Sequence, residues 1–223
     1  MRVTTLIDNR PAPQLTAEWG LAFWIEYQDK HILLDTGGGE NFARNAAALG
    51  IYLSRADFAV LSHAHWDHAD RIRFVSGPFS PVPGVSLLPH TTPGLAAKGK
   101  AGKMYRLRDG KYTPDDFSHE QSLVFQTARG LVIFNSCCHA GADVIVRETQ
   151  EAFPGQTIRA LVGGFHLFET PDADIYALGR RLAESGVEEI VSGHCTGERG
   201  FQILKEVLGE RAKQLRTGLV LSF

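Results

Sequence analysis

Leu61-Ser62-His63-Ala64-His65-Trp66-Asp67-His68 places four strong metal ligands within six residues, directly after the apolar run Phe58-Ala59-Val60-Leu61. A short apolar run bounded by polar residues reads as a buried strand, so the ligands emerge at a strand's C-terminal end. On an extended segment, residues two apart project to the same side. The His63 and His65 imidazoles can therefore meet one cation. Asp67 and His68 follow at a helix start, where a carboxylate can also satisfy backbone N–H groups that lack a helical partner. Imidazole with carboxylate suits zinc, with manganese and iron as alternatives. A solvated His-rich loop that binds metal adventitiously would need this arrangement to be a coincidence.

The same structural phase recurs further along the chain. Leu131 to Asn135 reads as a strand running into Ser136-Cys137-Cys138-His139. Ile158 to Val162 reads as another, ending in Gly163-Gly164-Phe165-His166, and Glu189-Ile190-Val191 as a third, ending in Ser192-Gly193-His194-Cys195. Helices over Ala142–Glu151, Ala173–Ser185 and Glu198–Leu208 separate these strands and the closing strand Leu219–Phe223. Functional groups in α/β layers collect beyond the carboxyl ends of strands, so His139 and His194 are expected to join the cluster. His31 and His119 follow no such rule and read as ordinary side chains. Cys138 and Cys195, each beside a proposed ligand on an extended segment, read as buried structural thiols pointing away from the metal.

Upstream, strands are expected over Arg2–Ile7, Leu21–Tyr27 and His31–Asp35, with a helix from Asn41 to Leu49 stopped by Gly50. Asp35-Thr36-Gly37 admits three readings: the catalytic triplet of a homodimeric aspartic protease, a carboxylate that orients a histidine beside the metal, or a structural turn. Gly77 to Gly84 reads as a proline- and glycine-rich connection. Residues 89–119 show no convincing periodicity and suggest a lid or insert.

Composition sets the outer bounds. At 223 residues with 43% hydrophobic side chains, one domain spanning 1–223 is expected. A net charge of −2 argues against nucleic acid and membrane surfaces as partners. No apolar stretch approaches the ~20 residues needed to span a bilayer, and the N-terminus shows no signal region. Three cysteines do not suggest a disulfide framework. The expectation is a soluble cytoplasmic protein of undetermined oligomeric state.

The HxHxDH stretch, the Asp-Thr-Gly turn before it and the later strand-end histidines resemble the metallo-beta-lactamase superfamily. Glu18-Trp19-Gly20-Leu21, Gly163-Gly164-Phe165-His166-Leu167 and His194-Cys195-Thr196-Gly197 resemble a narrower group, the methanopterin-pathway dihydropteroate synthase-like proteins. The resemblance implies an α/β fold, a four-layer αββα sandwich with a metal site at the edge of its two sheets. It also implies that His63, His65 and His139 bind a first metal and Asp67, His68 and His194 a second. Relatives usually add a bridging aspartate at the strand end that here reads Gly163 to His166, so His166 is the candidate for that place. Asp172 and Asp174 fall in the following helix.

This chemistry favours a hydrolase that uses a metal-activated water on an ester, lactone or phosphoester, with Asp67 and His166 as catalytic groups and one or two divalent ions, zinc first, as cofactor. A synthase that joins a pterin-like substrate to an aromatic amine is the alternative; Phe165, Trp66 and Tyr105 are the side chains suggestive of a ring pocket. A non-catalytic metal or ligand sensor is the third reading. Lys98, Lys100, Lys103, Arg106, Arg108 and Lys111, set against Asp109, suggest that the 89–119 lid selects an anionic small molecule. Tyr105, Arg106, Arg108 and Phe165 are accordingly the expected substrate contacts.

Overall fold

The computed structural model describes residues 1–65, 68, 78–90, 92–108 and 110–223, with the backbone alone at Arg108. The first sheet joins β1 (Arg2–Ile7), β2 (Ala22–Tyr27), β3 (Lys30–Leu34) and β4 (Phe58–Val60). The second begins with β5 (Phe79–Val82) and β6 (Val85–Pro89), and a small hairpin follows, β7 (Tyr105–Arg108) with β8 (Lys111–Pro114). The second sheet continues through β9 (Gln121–Thr127), β10 (Gly130–Phe134), β11 (Ile158–Gly163), β12 (Glu189–Ser192) and β13 (Ala212–Gln214), and β14 (Val220–Ser222) returns to the first. Strand orders are β14-β1-β2-β3-β4 and β13-β12-β11-β10-β9-β6-β5.

Period-two alternation explains how the sheets stack. Phe23, Ile25 and Tyr27 of β2 face the second sheet, where they meet Phe125, Val132 and Phe134. Ala22 and Trp24 face the other way, onto α1 (Asn41–Ala48). In β10, Leu131 and Ile133 face α3 (Ala142–Ala152), α4 (Asp172–Glu184) and α5 (Gly197–Leu208). Strands covered on both faces read as near-continuous apolar runs, which is why these were visible in the sequence. The layers are helix, sheet, sheet and helices, the four-layer α/β sandwich.

β10 to β13 run parallel, each joined to the next through a helix, so their C-terminal ends share one edge. β3 and β4 are also parallel, with α1 between them. At that edge the two sheets are tied by polar links. Gln121 donates its backbone N–H to Ser62 O and its side-chain Nε2 to Leu61 O, both at 2.9 Å. Ser136 Oγ donates to Asp35 Oδ2 at 2.5 Å, and His194 N donates to Asp8 Oδ2 at 2.9 Å.

Two connecting segments differ from expectation. The stretch from Gly77 to Gly84 contains β5, an edge strand; Pro81, which cannot donate to a ladder, is tolerated there because one side of an edge is unpaired. Residues 89–119 are not structureless. They hold α2 (Leu95–Ala101) and the β7–β8 hairpin, elements of four to seven residues that are too short to show a period. No helix among the described residues is long and apolar enough to cross a membrane.

Phe134 sits against Phe23 and Phe125 in the inter-sheet core, with ring centroids 5.6 and 5.7 Å away. Phe134→Ala should cost about 3–5 kcal/mol in urea unfolding; a loss under about 1 kcal/mol would show that this layer is not the main core.

Candidate metal centre

Asp35, just past β3, is buried and holds a left-handed backbone with φ of 56°. Its Oδ1 accepts the Ser62 backbone N–H at 2.7 Å. Its Oδ2 accepts Ser62 Oγ at 2.7 Å, Ser136 Oγ, and His68 Nδ1 at 2.9 Å. The carboxylate fixes two tautomers. Because the Ser62 hydroxyl proton goes to Asp35, His63 Nδ1 must be the N–H that donates to Ser62 Oγ, 2.8 Å away. His68 Nδ1 is likewise protonated, so both rings present an Nε2 lone pair. Of the three readings of Asp35-Thr36-Gly37, this is the carboxylate that orients a histidine.

His63 Nε2 and His139 Nε2 are buried and have no hydrogen-bond partner. Leaving such a buried polar atom unmatched costs on the order of 1–3 kcal/mol. With Cys137 Sγ, the ligand atoms of these two residues lie within 4.8 Å of one another. His139 is aimed from several sides: its N–H and that of Ala140 bind the buried Glu120 carboxylate at 2.7 and 3.0 Å, and its ring stacks on Phe117 at 4.4 Å. His65 stands beside both rings, 4.8 Å from each by centroid. Its Nε2 lies 3.4 Å from Asp115 Oδ2, which also takes His119 Nε2 at 3.1 Å.

His68 and His194 form a second group, again with Cys137, within the same 4.8 Å limit. His194 Nδ1 lies 3.2 Å from Asn9 Oδ1, while Asn9 Nδ2 donates to His194 O. His166 joins Cys137 and Cys195 in a third group. Its Nδ1 is buried without a partner, its N–H reaches Cys195 Sγ at 3.1 Å, and its ring lies 4.5 Å from that of His139. Cys138, His166 and His194 share Asp35's left-handed backbone, with φ of 52°, 50° and 48°. Non-glycine residues in that region cost about 1–3 kcal/mol each and cluster at functional sites.

Electrostatics suit neutral ligands. Burial, followed by the neighbouring imidazoles, holds His63 and His139 well below the usual histidine range. Burial lowers His194 to about 4 and raises Asp8 to about 6. Burial also opposes protonation of His166, but the Cys195 thiol and the carboxylates of Glu120 and Glu169 shift it upward on balance. For Asp115, burial is outweighed by His119, His65 and the Phe117 N–H, which hold it below the ordinary carboxylate range. Burial and Glu120 push the Cys138 thiol well above its usual value. These donors fit a divalent cation: imidazoles, with tautomers fixed at His63 and His68, a thiol among them, and three buried nitrogens without partners, His63 Nε2, His139 Nε2 and His166 Nδ1.

Two cavities open on this cluster. The smaller, about 300 Å³, is lined by Trp19, His65, Met104, Tyr105, Cys137, His166, Phe168, His194 and Cys195. The larger, about 720 Å³, runs past Lys98, Met104, Phe117, His139, Phe165, His166, Phe168 and Arg181.

The expected site residues fall as follows. His63, His65, His68, His139, His166 and His194 come together. Asp67 and Trp66 lie outside the described residues, as does the Arg108 side chain. Tyr105 lines the smaller cavity and Phe165 the larger. Arg106 lines neither; it binds Asp116 Oδ2 at 2.6 Å and Ser118 Oγ at 2.8 Å. Asp172 begins α4 and pairs with Arg199 at 2.5 Å. Cys138 is a buried thiol facing Asn135 O, as expected. Cys195 is not turned away. Residues His194–Thr196 form a 3-10 turn rather than an extended segment, which swings the thiol toward Cys137 and His166. His119 likewise proves part of the cluster. Cys137 was missed, although residue i−2 from a strand-end histidine is the spacing that paired His63 with His65. Nothing in the sequence pointed to Asp115.

Residues 18–102 match the model of the family described as the metallo-beta-lactamase superfamily, and the chain takes that superfamily's fold. Among individual relatives, it is 24% identical over 266 aligned residues to 7,8-dihydropterin-6-methyl-4-(beta-D-ribofuranosyl)-aminobenzene-5'-phosphate synthase of Methanocaldococcus jannaschii, covering 93% of this chain and 90% of the relative. The crystal structure of Tm1679, described as a metal-dependent hydrolase of the beta-lactamase superfamily, superposes with a TM-score of 0.88 at 28% identity, over 100% of this chain and 99% of that one. YhfI of Bacillus subtilis shares the fold at 13% identity and a TM-score of 0.60, over 99% of this chain and 98% of its own.

Asp35→Asn would turn an amide N–H₂ toward groups that all donate. Divalent metal affinity, measured by competition with a chelator, should fall about 10–100-fold while the far-ultraviolet circular dichroism stays unchanged. Wild-type affinity in the variant would contradict the orienting role.

Proposed function

We propose that the protein is a metal-dependent hydrolase acting on an ester, lactone or phosphoester of a small anionic molecule. The observation that carries this reading is the pair of buried, partnerless nitrogens, His63 Nε2 and His139 Nε2, beside a cavity that also exposes His65, His166 and His194. His63, His65 and His139 would hold a first divalent ion, zinc or alternatively manganese or iron; His68 and His194, with Asp67, would hold a second. When bound, such an ion supplies a Lewis acid and lowers the pKa of a water toward about 7.

The chain's own residues do the rest. Asp35 and Asn9 hold His63, His68 and His194 in the ligand tautomer. Trp19, Tyr105 and Phe168, each about half exposed, rim the smaller cavity and offer flat faces to a ring-bearing substrate. His166 lines both cavities and would hand a proton to a leaving group. The positive charge that meets a substrate anion is assigned to Lys98 in place of Arg106, whose guanidinium is engaged by Asp116. Lys98 lines the larger cavity, and one of its three donors is used by Ala140 O at 2.7 Å.

A second reading, a synthase joining a pterin-like substrate to an aromatic amine, is favoured by the two cavities, which share Met104, His166 and Phe168. That arrangement can seat two reactants at one proton-transfer group. The Methanocaldococcus relative bears such a name.

A panel of matched anionic and neutral esters, lactones and phosphoesters tests the first reading. Turnover should vanish on metal removal, return with zinc, manganese or iron, and be absent in His63→Ala with His65→Ala. Lys98→Ala should raise KM for the anionic member of a pair at least several-fold and leave the neutral member unchanged. Turnover that survives chelation contradicts the metal role. Condensation of a pterin with an aromatic amine, without hydrolysis, would favour the second reading.

A further inference from the structure

We propose that Cys137 is the anionic ligand shared by both halves of the metal centre, its Sγ standing between them. The inference rests on the metal-binding reading above and adds a ligand to it. Cys137 belongs to the His63–His139 group and to the His68–His194 group, with all ligand atoms of each group within 4.8 Å of one another. No other described residue belongs to both. Its Sγ lies 3.5 Å from His68 Nε2, and it lines the smaller cavity together with His65 and His194. The Nε2 atoms of His63 and His139 are buried and partnerless, and these two residues each bring a ligand atom within 4.8 Å of the thiol.

Charge and space both favour a thiolate here. The four imidazoles of these two groups are neutral donors; Asp67 would bring charge to the second ion alone, so a dication held by His63 and His139 is left uncompensated. The neighbouring end of β11 cannot supply the charge. A Cβ at Gly163 would stand 1.8 Å from Asn135 O, and one at Gly164 would stand 2.6 Å from Cys195 Sγ and 2.7 Å from Ser136 O. Cys137, entering from the end of β10, reaches the space that β11 leaves open. On metal binding its S–H bond breaks, sulfur–metal bonds form, and the proton passes to solvent. Thiolate is a strong ligand for zinc and cobalt. Cys195 has a separate place, grouped with His166 and Cys137 but with neither histidine pair.

Cobalt(II) serves as the probe. Metal-depleted full-length protein is titrated with cobalt(II), reading the near-ultraviolet thiolate-to-cobalt charge-transfer band and the visible ligand-field bands. Wild type, Cys138→Ser and Cys195→Ser should all show the charge-transfer band, and Cys137→Ser should lose it while keeping the ligand-field bands of the histidine sites. Zinc-loaded Cys195→Ser should show a sulfur scatterer at about 2.3 Å by X-ray absorption, a reading that does not need Cys137→Ser to fold. Ligand-field bands without charge transfer in wild type would overturn the thiolate ligand and leave the histidine sites standing. A band that survives in Cys137→Ser, or disappears in Cys195→Ser, would overturn the assignment to Cys137. Failure of wild type to bind cobalt would overturn both this inference and the metal-binding reading beneath it.

Discussion

The Asp35 carboxylate is the constraint on which the centre depends. Two oxygens accept from Ser62, Ser136 and His68, groups that arrive from β4, β10 and the turn after β4. Each donor approaches a charged acceptor inside the protein, where such bonds are shorter and stronger than neutral ones. The consequence for chemistry is directional. With Nδ1 of His63 and His68 committed toward Asp35, either directly or through the Ser62 hydroxyl, both rings must offer Nε2 to the interior. The consequence for architecture is that one buried anion binds the facing edges of the two sheets. Asp8 does the same on one side of it through the His194 N–H, and on the other side Gln121 ties the sheets through Ser62 O and Leu61 O.

That edge is where the fold concentrates its strain. Parallel strands β10, β11 and β12 end side by side, and the turn after each must bend sharply back into a helix. Cys138, His166 and His194 take left-handed conformations there, as Asp35 does after β3. Such residues persist only where surrounding structure over-determines them. Here the inter-sheet core and the α3–α5 layer supply the determination, since the strands leading into these turns are buried on both faces. Packing far from the centre thus sets the aim of the ligands.

Much of this was legible in the sequence, for identifiable reasons. Strands buried on both faces leave unbroken apolar runs, and His63, His65, His139, His166 and His194 each follow one, so the edge they share could be inferred. The four-layer sandwich and the likeness to synthase-like relatives followed from the same residues. What stayed hidden was three-dimensional. Cys137 looks no different from Cys138 in sequence, but the turn at Cys138 sends one thiol into the centre and the other toward Asn135. The 3-10 turn at His194 reversed the expected direction of Cys195. Asp115 and His119 reach His65 from the end of the β7–β8 hairpin, a pairing that no local spacing encodes. Arg106 carried the expected charge, yet Asp116, ten residues on, holds it away from the cavities.

Asp35 dictates the tautomers of His63 and His68 before any ion arrives. Long-range ¹H–¹⁵N correlation spectra of the imidazole rings in metal-free protein measure this directly. His63 and His68 should both be in the Nδ1–H form in wild type, and both should lose that preference in Asp35→Asn. If either ring in the wild-type protein carries its proton on Nε2, the carboxylate does not set the aim of the centre.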